Sequence, residues 1–272
     1  MAIKFVSFGG GRRSYRLAMI RLKKEIHRLD PDAQVYLFDE TDIAVEIEGL
    51  DQTFLEFANA NPRGFGLWVW KPWLILEVME NAQEGDIVFY LDAGCTVHTS
   101  KNSRLRYESY LNHIREHGNL NFNVGQAEFY WTKREAVEHF QLSELELNSG
   151  QVMASVRGHL VNQEQRQFVA RWLEACTLDS GRLIRDVDSR INEDERFIAH
   201  RHDQSVFSCL AKRNGFVELP DETFFHPKWN RDGDNYPFWT TRKISRIPSW
   251  MGYYAPVAVI RGRLKRIFKV FS

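Results

Sequence analysis

The N-terminal residues 3–42 are the most informative about the fold, and they read IKFVSFGGGRRSYRLAMIRLKKEIHRLDPDAQVYLFDETD. An apolar run ends at three glycines, and apolar residues at helical spacing then predict an amphipathic helix over Tyr15–Leu29. Asp30 and Pro31 stop this helix, and Gln34–Phe38 is typical of a second strand. Strand, helix and strand in this order predict a βαβ unit with a parallel sheet, whose ligands bind beyond the carboxyl ends of the strands. The candidate ligand-contacting residues at these two ends are Phe8, Gly9, Gly10 and Asp39.

Further strands and helices follow without a linker. Residues 87–91 (IVFYL) form a continuous apolar run that predicts a buried central strand, preceded by a helix that begins near Lys71-Pro72. We expect another strand over 150–156 and helices over 168–175 and after Asp203, with a mixture of helix and loop over 101–146. The sequence therefore predicts a single α/β domain over 1–240, with a mostly parallel central sheet flanked by helices.

Composition narrows the class of protein. The chain has 272 residues, of which 43% are hydrophobic and 13% aromatic, so it can bury a large core and is not a disordered chain. Its three cysteines form no C-x-x-C pair, which favours a reducing, cytoplasmic compartment. The short N-terminal apolar run is expected to be a strand rather than a signal peptide or an anchor.

The zero net charge hides an asymmetry. Eight of the 36 basic residues and none of the 36 acidic residues lie in 241–272, so the body carries a charge of about −8. Apolar residues recur at helical spacing between these cations, which predicts a basic amphipathic C-terminal helix. Such a helix lies well on an anionic membrane surface, the interpretation that we favour; packing on the acidic body is the alternative. Binding of nucleic acid is not expected, because the body repels phosphate.

Four segments contain candidate functional residues. Asp92 follows the central strand, although Asp92-Ala93-Gly94 is equally ordinary turn chemistry. Residues 63–72 (RGFGLWVWKP) combine cations with aromatic rings, as a phosphate or ring-shaped ligand requires, although core packing would explain one tryptophan. Residues 200–205 (HRHDQS) offer acid, base or metal-ligating groups, although Asp203 could simply cap the helix that follows. Phe224–Pro227 contributes a lone histidine, His226, for which packing in the core is the commoner explanation.

Read together, these segments resemble the nucleotide-sugar glycosyltransferases of the GT-A fold. The resemblance is closest to bacterial enzymes of capsule and O-antigen polysaccharide synthesis, and it runs over about residues 3–240. The segments that carry it are Gly64–Pro72, Tyr90–Cys95 and His202–Gln204. It implies a hexosyltransferase that moves a sugar from a nucleotide diphosphate sugar, UDP-linked, to a glycan or lipid-linked saccharide. The donor-binding residues that it implies are Phe8, Gly9, Gly10, Asp39, Arg63, Trp70, Lys71, Asp92, Ala93 and Gly94.

The resemblance also implies a metal ion and a base. In this family an Asp-x-Asp after a central strand holds Mn²⁺ or Mg²⁺ on the donor's diphosphate, and a late histidine completes the site. Asp92 would be the first aspartate and His226 the late ligand, but Gly94 stands where the second aspartate is expected. For transfer with inversion, Asp203 is the candidate base and His202 the second choice. For retention, Asp203 would position the sugar.

Two other functions remain open from the sequence. A sugar nucleotidyltransferase would share the sheet, but it normally has a lysine close behind a glycine-rich first loop, where this chain has Arg12 and Arg13. A non-catalytic carbohydrate-binding or scaffold protein of the same fold would account for Gly94. The resemblance places the protein in the cytoplasm, and the tail adds attachment to the inner face of the membrane.

Overall fold

The structure is a computed structural model that describes residues 1–43, 47–187, 192–223 and 228–243. The helices, in chain order, are α1 (Arg13–Leu29), α2 (Phe54–Ala60), α3 (Gly64–Leu67), α4 (Trp70–Glu80), α5 (Lys101–His117), α6 (Arg134–Phe140), α7 (Glu144–Asn148), α8 (Gln163–Gly181), α9 (Asp203–Arg213) and α10 (Trp229–Asp232). The strands are β1 (Ile3–Phe8), β2 (Gln34–Phe38), β3 (Ile87–Leu91), β4 (Thr96–Val97), β5 (Asn119–Leu120), β6 (Phe122–Ala127), β7 (Gly150–Val152), β8 (Val156–Leu160), β9 (Leu219–Pro220) and β10 (Phe238–Trp239).

The central sheet has the order β2-β1-β3-β8-β5. β1 pairs in parallel with both β2 and β3, which confirms the predicted βαβ unit. β8 is antiparallel to both of its neighbours, so four of the five strands run in one direction. The protein is therefore an α/β protein with a mostly parallel central sheet, as predicted. A second sheet, β7-β6-β9, and the pair β10-β4 lie beside it.

Alternate residues of the central strands face two separate cores. Val88 and Tyr90 of β3 belong to a core that includes residues of α4 and α8, whereas Ile87, Phe89 and Leu91 pack with residues of α1 and α5. Every residue of β3 is fully buried, because helices cover both faces of the sheet. Removing one large ring from either core, as in Phe89→Ala, typically costs about 3–5 kcal/mol.

The strand predicted over 150–156 is wrong as a single element. The chain forms β7 in the second sheet, breaks at 153–155, and continues as β8 in the central sheet. At the break, the Met153 N–H donates to Phe122 O and the Ser155 carbonyl accepts from Asp92. The apolar pattern continues through the break, so local sequence does not reveal it.

Outside the central sheet, the structure confirms helices at α8 and α9 but extends the first of them to Gln163–Gly181. β6 lies inside the region expected to be helix and loop, and that strand was missed. Within the described ranges, no helix is both long and apolar enough to cross a membrane. The predicted C-terminal helix lies outside the described residues, as does all of the tail beyond Lys243.

Candidate active site

A lysine and two aspartates meet beyond the carboxyl end of β3. Asp92 directly follows that strand, Asp203 is the first residue of α9, and Lys71 lies in the first turn of α4. Lys71 Nζ is 2.7 Å from Asp203 Oδ2 and 3.5 Å from Asp92 Oδ1. The sequence pointed to each of these residues separately, and the structure brings all three together.

Asp92 is the member of this cluster that a ligand can reach. Its side chain is 32% exposed, against 3% for Lys71 and 5% for Asp203. The Tyr90 hydroxyl donates to Asp92 Oδ1 at 2.7 Å, on the same oxygen that Lys71 approaches. The main chain is fixed as well, because the Asp92 N–H donates to Ser155 O at 3.0 Å. One carboxylate oxygen is thus held while the other is left to face a ligand.

The electrostatics of the cluster follow from two carboxylates that share one ammonium. Burial raises the pKa of Asp203 to about 6; Lys71 opposes this shift, and the neighbouring Asp92 adds to it. Burial alone would lower the pKa of Lys71, but attraction to Asp203 and Asp92 outweighs it, so that pKa is raised. Lys71 therefore stays charged, and Asp203 changes its protonation state close to neutral pH.

Tyr90 begins a segment that carries the family resemblance, but sequence reasoning did not include it among the candidate site residues. Residues two apart on a strand point to the same face, so a tyrosine two residues before Asp92 was a usable signal. Burial is the main cause that raises the pKa of Tyr90 far above its ordinary value. The hydroxyl therefore keeps its proton and serves as a donor to Asp92.

His202 lies at the start of α9 and is 1% exposed. Its Nδ1 lies 2.7 Å from Ile184 O, a contact that requires the proton on Nδ1 and leaves Nε2 with a lone pair. Burial lowers the pKa of His202, which keeps the ring neutral. Asp203 was considered as the helix cap, but the N-cap is His202, with φ at 51°. His200 is fully engaged with Leu183 O and the Lys133 N–H, which supports a structural role for it.

The segment before α4, given above as α3, is a left-handed turn and not a regular right-handed helix. Five consecutive residues, 64–68, have positive φ, and three of them, Phe65, Leu67 and Trp68, are not glycine. Each such residue costs about 1–2 kcal/mol. The turn places the Trp68 ring 5.7 Å from the His202 ring, so this backbone strain lies next to the candidate site.

The other predicted residues of this segment divide between core and surface. Trp70 is buried, its ring lies 4.1 Å from that of Phe8, and its indole donates to Gly64 O. Trp70 and Phe8 therefore support the site from the core. Arg63 has a side chain 58% exposed and lies 3.7 Å from Asp186, so its guanidinium is open to solvent.

At the ends of β1 and β2, the predicted donor residues form a network of their own. The Gly9 N–H donates to Phe38 O at 2.9 Å, which closes the loop after β1. Asp39 accepts from the amide and the hydroxyl of Thr41 and pairs with Arg16 at 3.1 Å. Hydrogen bonds from Thr41 are the main cause that lowers the pKa of Asp39. An added Cβ at Gly10 would lie 2.3 Å from the Phe8 ring, so this loop is packed closely on the strand end.

The absence of a side chain at Gly94 is explained by residues 241–243, which cross over the turn after Asp92. A Cβ added there would lie 3.0 Å from Arg242 Cα, and the Lys243 N–H donates to Gly94 O at 2.7 Å. Arg21 donates to the carbonyls of Ala93, Cys95 and Lys243, which ties the crossing segment to the turn after Asp92. Residues 241–243 thus fill the space where a second aspartate side chain would stand.

The described residues do not by themselves fit a metal centre. Among them, no group of three or more metal-ligating side chains is found. Asp92 offers one carboxylate, and the Lys71 ammonium, 3.5 Å away, competes with a cation for it. His226, the other predicted ligand, lies outside the described residues.

Comparison with known proteins gives structural likenesses only. No protein-family model matches the chain, and no curated protein does. Similar solved structures include three glycosyltransferases. One takes part in glycosylation of the major capsid of PBCV-1; it is 9% identical with a TM-score of 0.46 and covers 88% of this chain and 92% of its own. The galactosyltransferase LgtC, in complex with donor and acceptor sugar analogs, is 14% identical with a TM-score of 0.46 over 86% and 83%. Mouse xyloside xylosyltransferase 1 is 10% identical with a TM-score of 0.46 over 91% and 100%. Likenesses this distant do not identify a family or an activity.

Proposed function

We propose that the protein is a glycosyltransferase that moves a hexose from a nucleotide diphosphate sugar, UDP-linked, to a saccharide or lipid-linked acceptor. The observation that carries this proposal is the cluster of Lys71, Asp92 and Asp203. These residues come from the three separate segments that resemble GT-A glycosyltransferases, and they meet beyond the carboxyl end of β3. That end of a parallel strand is the usual place for a ligand.

Asp92 is the group proposed to contact the donor. Its Oδ1 is held by Tyr90 and Lys71, so the carboxylate has a fixed orientation before the ligand arrives. A fixed carboxylate can accept hydrogen bonds from sugar hydroxyls without first losing side-chain freedom. Ala93 and Gly94 follow it in a turn that Arg21 holds in place. This preorganisation supports the assignment of the turn to donor binding.

Asp203 has two possible roles in transfer. In an inverting reaction, a base takes the proton of the acceptor hydroxyl as its oxygen attacks the anomeric carbon and the bond to the diphosphate breaks. A pKa of about 6 suits a base at neutral pH. However, the Asp203 side chain is 5% exposed and pairs with Lys71. This burial favours the second role, in which Asp203 positions Lys71 and, through it, Asp92.

Charge on the leaving diphosphate also needs compensation. Arg63 is the exposed cation nearest in sequence to the cluster, and its distance of 3.7 Å from Asp186 leaves that pairing loose. His202 is not assigned to this task, because its Nε2 is buried and carries a lone pair rather than a positive charge. A bound Mn²⁺ or Mg²⁺ would add charge compensation, for which Asp92 is the ligand that the described residues offer.

The proposed setting is the cytoplasmic face of an anionic membrane, in surface polysaccharide synthesis. The support is the basic composition of 241–272, which suits a lipid surface where a lipid-linked acceptor would be found. Residues 241–243 lie directly on the turn after Asp92, so the basic segment begins beside the candidate site.

A thermal-shift screen of nucleotide sugars, with and without Mn²⁺, tests donor binding. We expect one UDP-sugar to raise the melting temperature of the wild type, because a ligand that binds the native state stabilises it by mass action. The shift should be absent in Asp92→Asn and retained in Tyr36→Ala, which alters an exposed tyrosine on β2. No shift with any nucleotide sugar, or an equal shift in Asp92→Asn, would contradict the proposal.

A further inference from the structure

A pocket lies beside the paired strands β6 and β7, next to the residues that follow β6. It has a volume of about 550 Å³ and includes Gln126, Tyr130, Trp131, Asn148 and Ile198 in its walls. None of the described residues that line it carries a charge. Its chemistry is therefore amide and aromatic, unlike the charged cluster around Asp92.

Two side chains form an exposed apolar platform at this pocket. Tyr130 is 37% exposed and Ile198 is 60% exposed. The Ile198 N–H donates to Tyr130 O at 2.9 Å, which holds the two residues together. The Phe129 ring lies 4.2 Å from that of Tyr130 and is buried, so the platform rests on a packed aromatic pair.

The polar side of the pocket is also fixed. The Arg201 guanidinium lies 3.7 Å over the Trp131 ring and donates to the side-chain oxygens of Gln126 and Gln151. Because these contacts orient Gln126, its NH₂ group is left to donate to a ligand. Asn148 is exposed and donates to Glu144 O, which leaves its amide oxygen as an acceptor.

The pocket and the cluster around Asp92 lie near each other along one segment of the chain, 150–155. Gly150, in the pocket wall, is five residues from Ser155, whose carbonyl accepts from Asp92. Five extended residues span about 18 Å at most. Gln151 Oε1 also accepts from Gln204 Nε2 at 2.8 Å, and Gln204 follows Asp203. A saccharide chain with one end at Asp92 could place its next sugar units in the pocket.

We propose that this pocket binds a neutral saccharide and is the acceptor subsite of the enzyme, an assignment that rests on the proposed glycosyl transfer. A sugar ring presents C–H groups that pack on the negative face of an aromatic ring, and its hydroxyls pair with fixed amides. The nearest guanidinium groups, of Arg196 and Arg201, are already engaged by Asp194 and by two glutamine side chains, so a neutral sugar needs no charged partner here. Tyr130 is the main platform, and Gln126 and Asn148 fix orientation.

Binding of neutral glycans without a donor tests the pocket independently of turnover. The probe is an array of neutral oligosaccharides, including lactose, maltotriose and cellotriose, with the full-length wild type and four variants. We expect at least one glycan to bind, with at least tenfold weaker binding by Tyr130→Ala and by Ile198→Arg, which fills the exposed side of the pocket. Tyr130→Phe keeps the ring and should bind normally. Tyr36→Ala, which removes a tyrosine of similar exposure elsewhere, should also bind normally.

The outcomes separate the two proposals. If no neutral glycan binds, or if Tyr130→Ala and Ile198→Arg bind as tightly as the wild type, the pocket assignment is wrong. Binding of unglycosylated peptides that Tyr130→Ala abolishes would assign the pocket to polypeptide and overturn the saccharide. If glycan binding depends on Tyr130 but no nucleotide sugar is turned over, the pocket stands and the proposed transfer fails.

Discussion

Replacing Lys71 by methionine should destabilise the protein, because Lys71 compensates the charge of two neighbouring carboxylates in the candidate site. At 2.7 Å, the attraction between Lys71 and Asp203 is about 6 kcal/mol at an effective dielectric constant of about 20. Desolvation of the two groups cancels most of it in the native protein. Removing only the ammonium leaves two carboxylates close together, one of them buried. We therefore expect Lys71→Met to lower the free energy of unfolding by about 3–5 kcal/mol at pH 8.

The loss should depend on pH in a defined direction. Without Lys71, the pKa of Asp203 rises further above 6, since burial and Asp92 both act to raise it. The variant is then least destabilised at pH 5, where Asp203 is protonated and needs no cation. Its stability relative to the wild type falls as pH rises through 6, by up to about 1.4 kcal/mol per pH unit.

Urea unfolding at pH 5, 6.5 and 8 measures this effect. The double variant Lys71→Met/Asp203→Asn is the control, because it removes both charges and should recover much of the stability at pH 8. A Lys71→Met variant within 1 kcal/mol of the wild type at pH 8 would refute the reasoning. So would a loss that stays the same from pH 5 to pH 8.

Three further predictions concern the surroundings of Asp92. Gly94→Asp should lower the free energy of unfolding by about 1–3 kcal/mol, and Gly94→Ala by less, because the added atoms meet the backbone of Arg242. If both variants melt like the wild type, residues 241–243 do not pack against Gly94 as described. Tyr90→Phe should lower donor turnover and reduce the free energy of unfolding by about 1.5–3 kcal/mol, because it removes the hydroxyl that orients Asp92. Turnover equal to that of the wild type would count against this role of Tyr90. Truncation after Lys243 should release the protein from anionic liposomes without changing the melting temperature. Truncation after Thr240 should also lower the melting temperature, because it removes the hydrogen bonds that Lys243 makes with Gly94 and Arg21. Liposome binding retained after the first truncation would favour a tail packed on the body.

The parts of the fold that the sequence predicted correctly are those whose hydrophobic pattern matches the burial of their residues in the structure. Residues 87–91 were expected to form a buried strand and do so with the same bounds, because burial on both faces requires a continuous apolar run. The break between β7 and β8 was missed because apolar residues continue through it at Val152, Met153 and Ala154, and the change of sheet depends on distant partners such as Phe122. β6 was missed because its residues are mixed in polarity and only partly buried.

The candidate site, too, could be predicted from the sequence only in part. Asp92, Lys71 and Asp203 were identified from residue type and position, but their pairing depends on contacts between residues up to 132 positions apart, which no local pattern contains. Gly94 suggested a lost metal ligand from the sequence, whereas the structure relates it to the crossing of residues 242–243. The left-handed turn over 64–68 was also hidden, since three of its five residues are not glycine.

Donor turnover by the wild type and by Asp92→Ala tests whether Asp92 lies in a glycosyltransferase active site. The assay follows release of UDP from the UDP-sugar that gives the largest thermal shift, with Tyr36→Ala as the control for a surface substitution. We expect turnover by the wild type and by Tyr36→Ala, and a loss of at least a hundredfold in Asp92→Ala, in keeping with removal of a preorganised polar group from an active site. Turnover by Asp92→Ala at the rate of the wild type would show that Asp92 is not part of the active site.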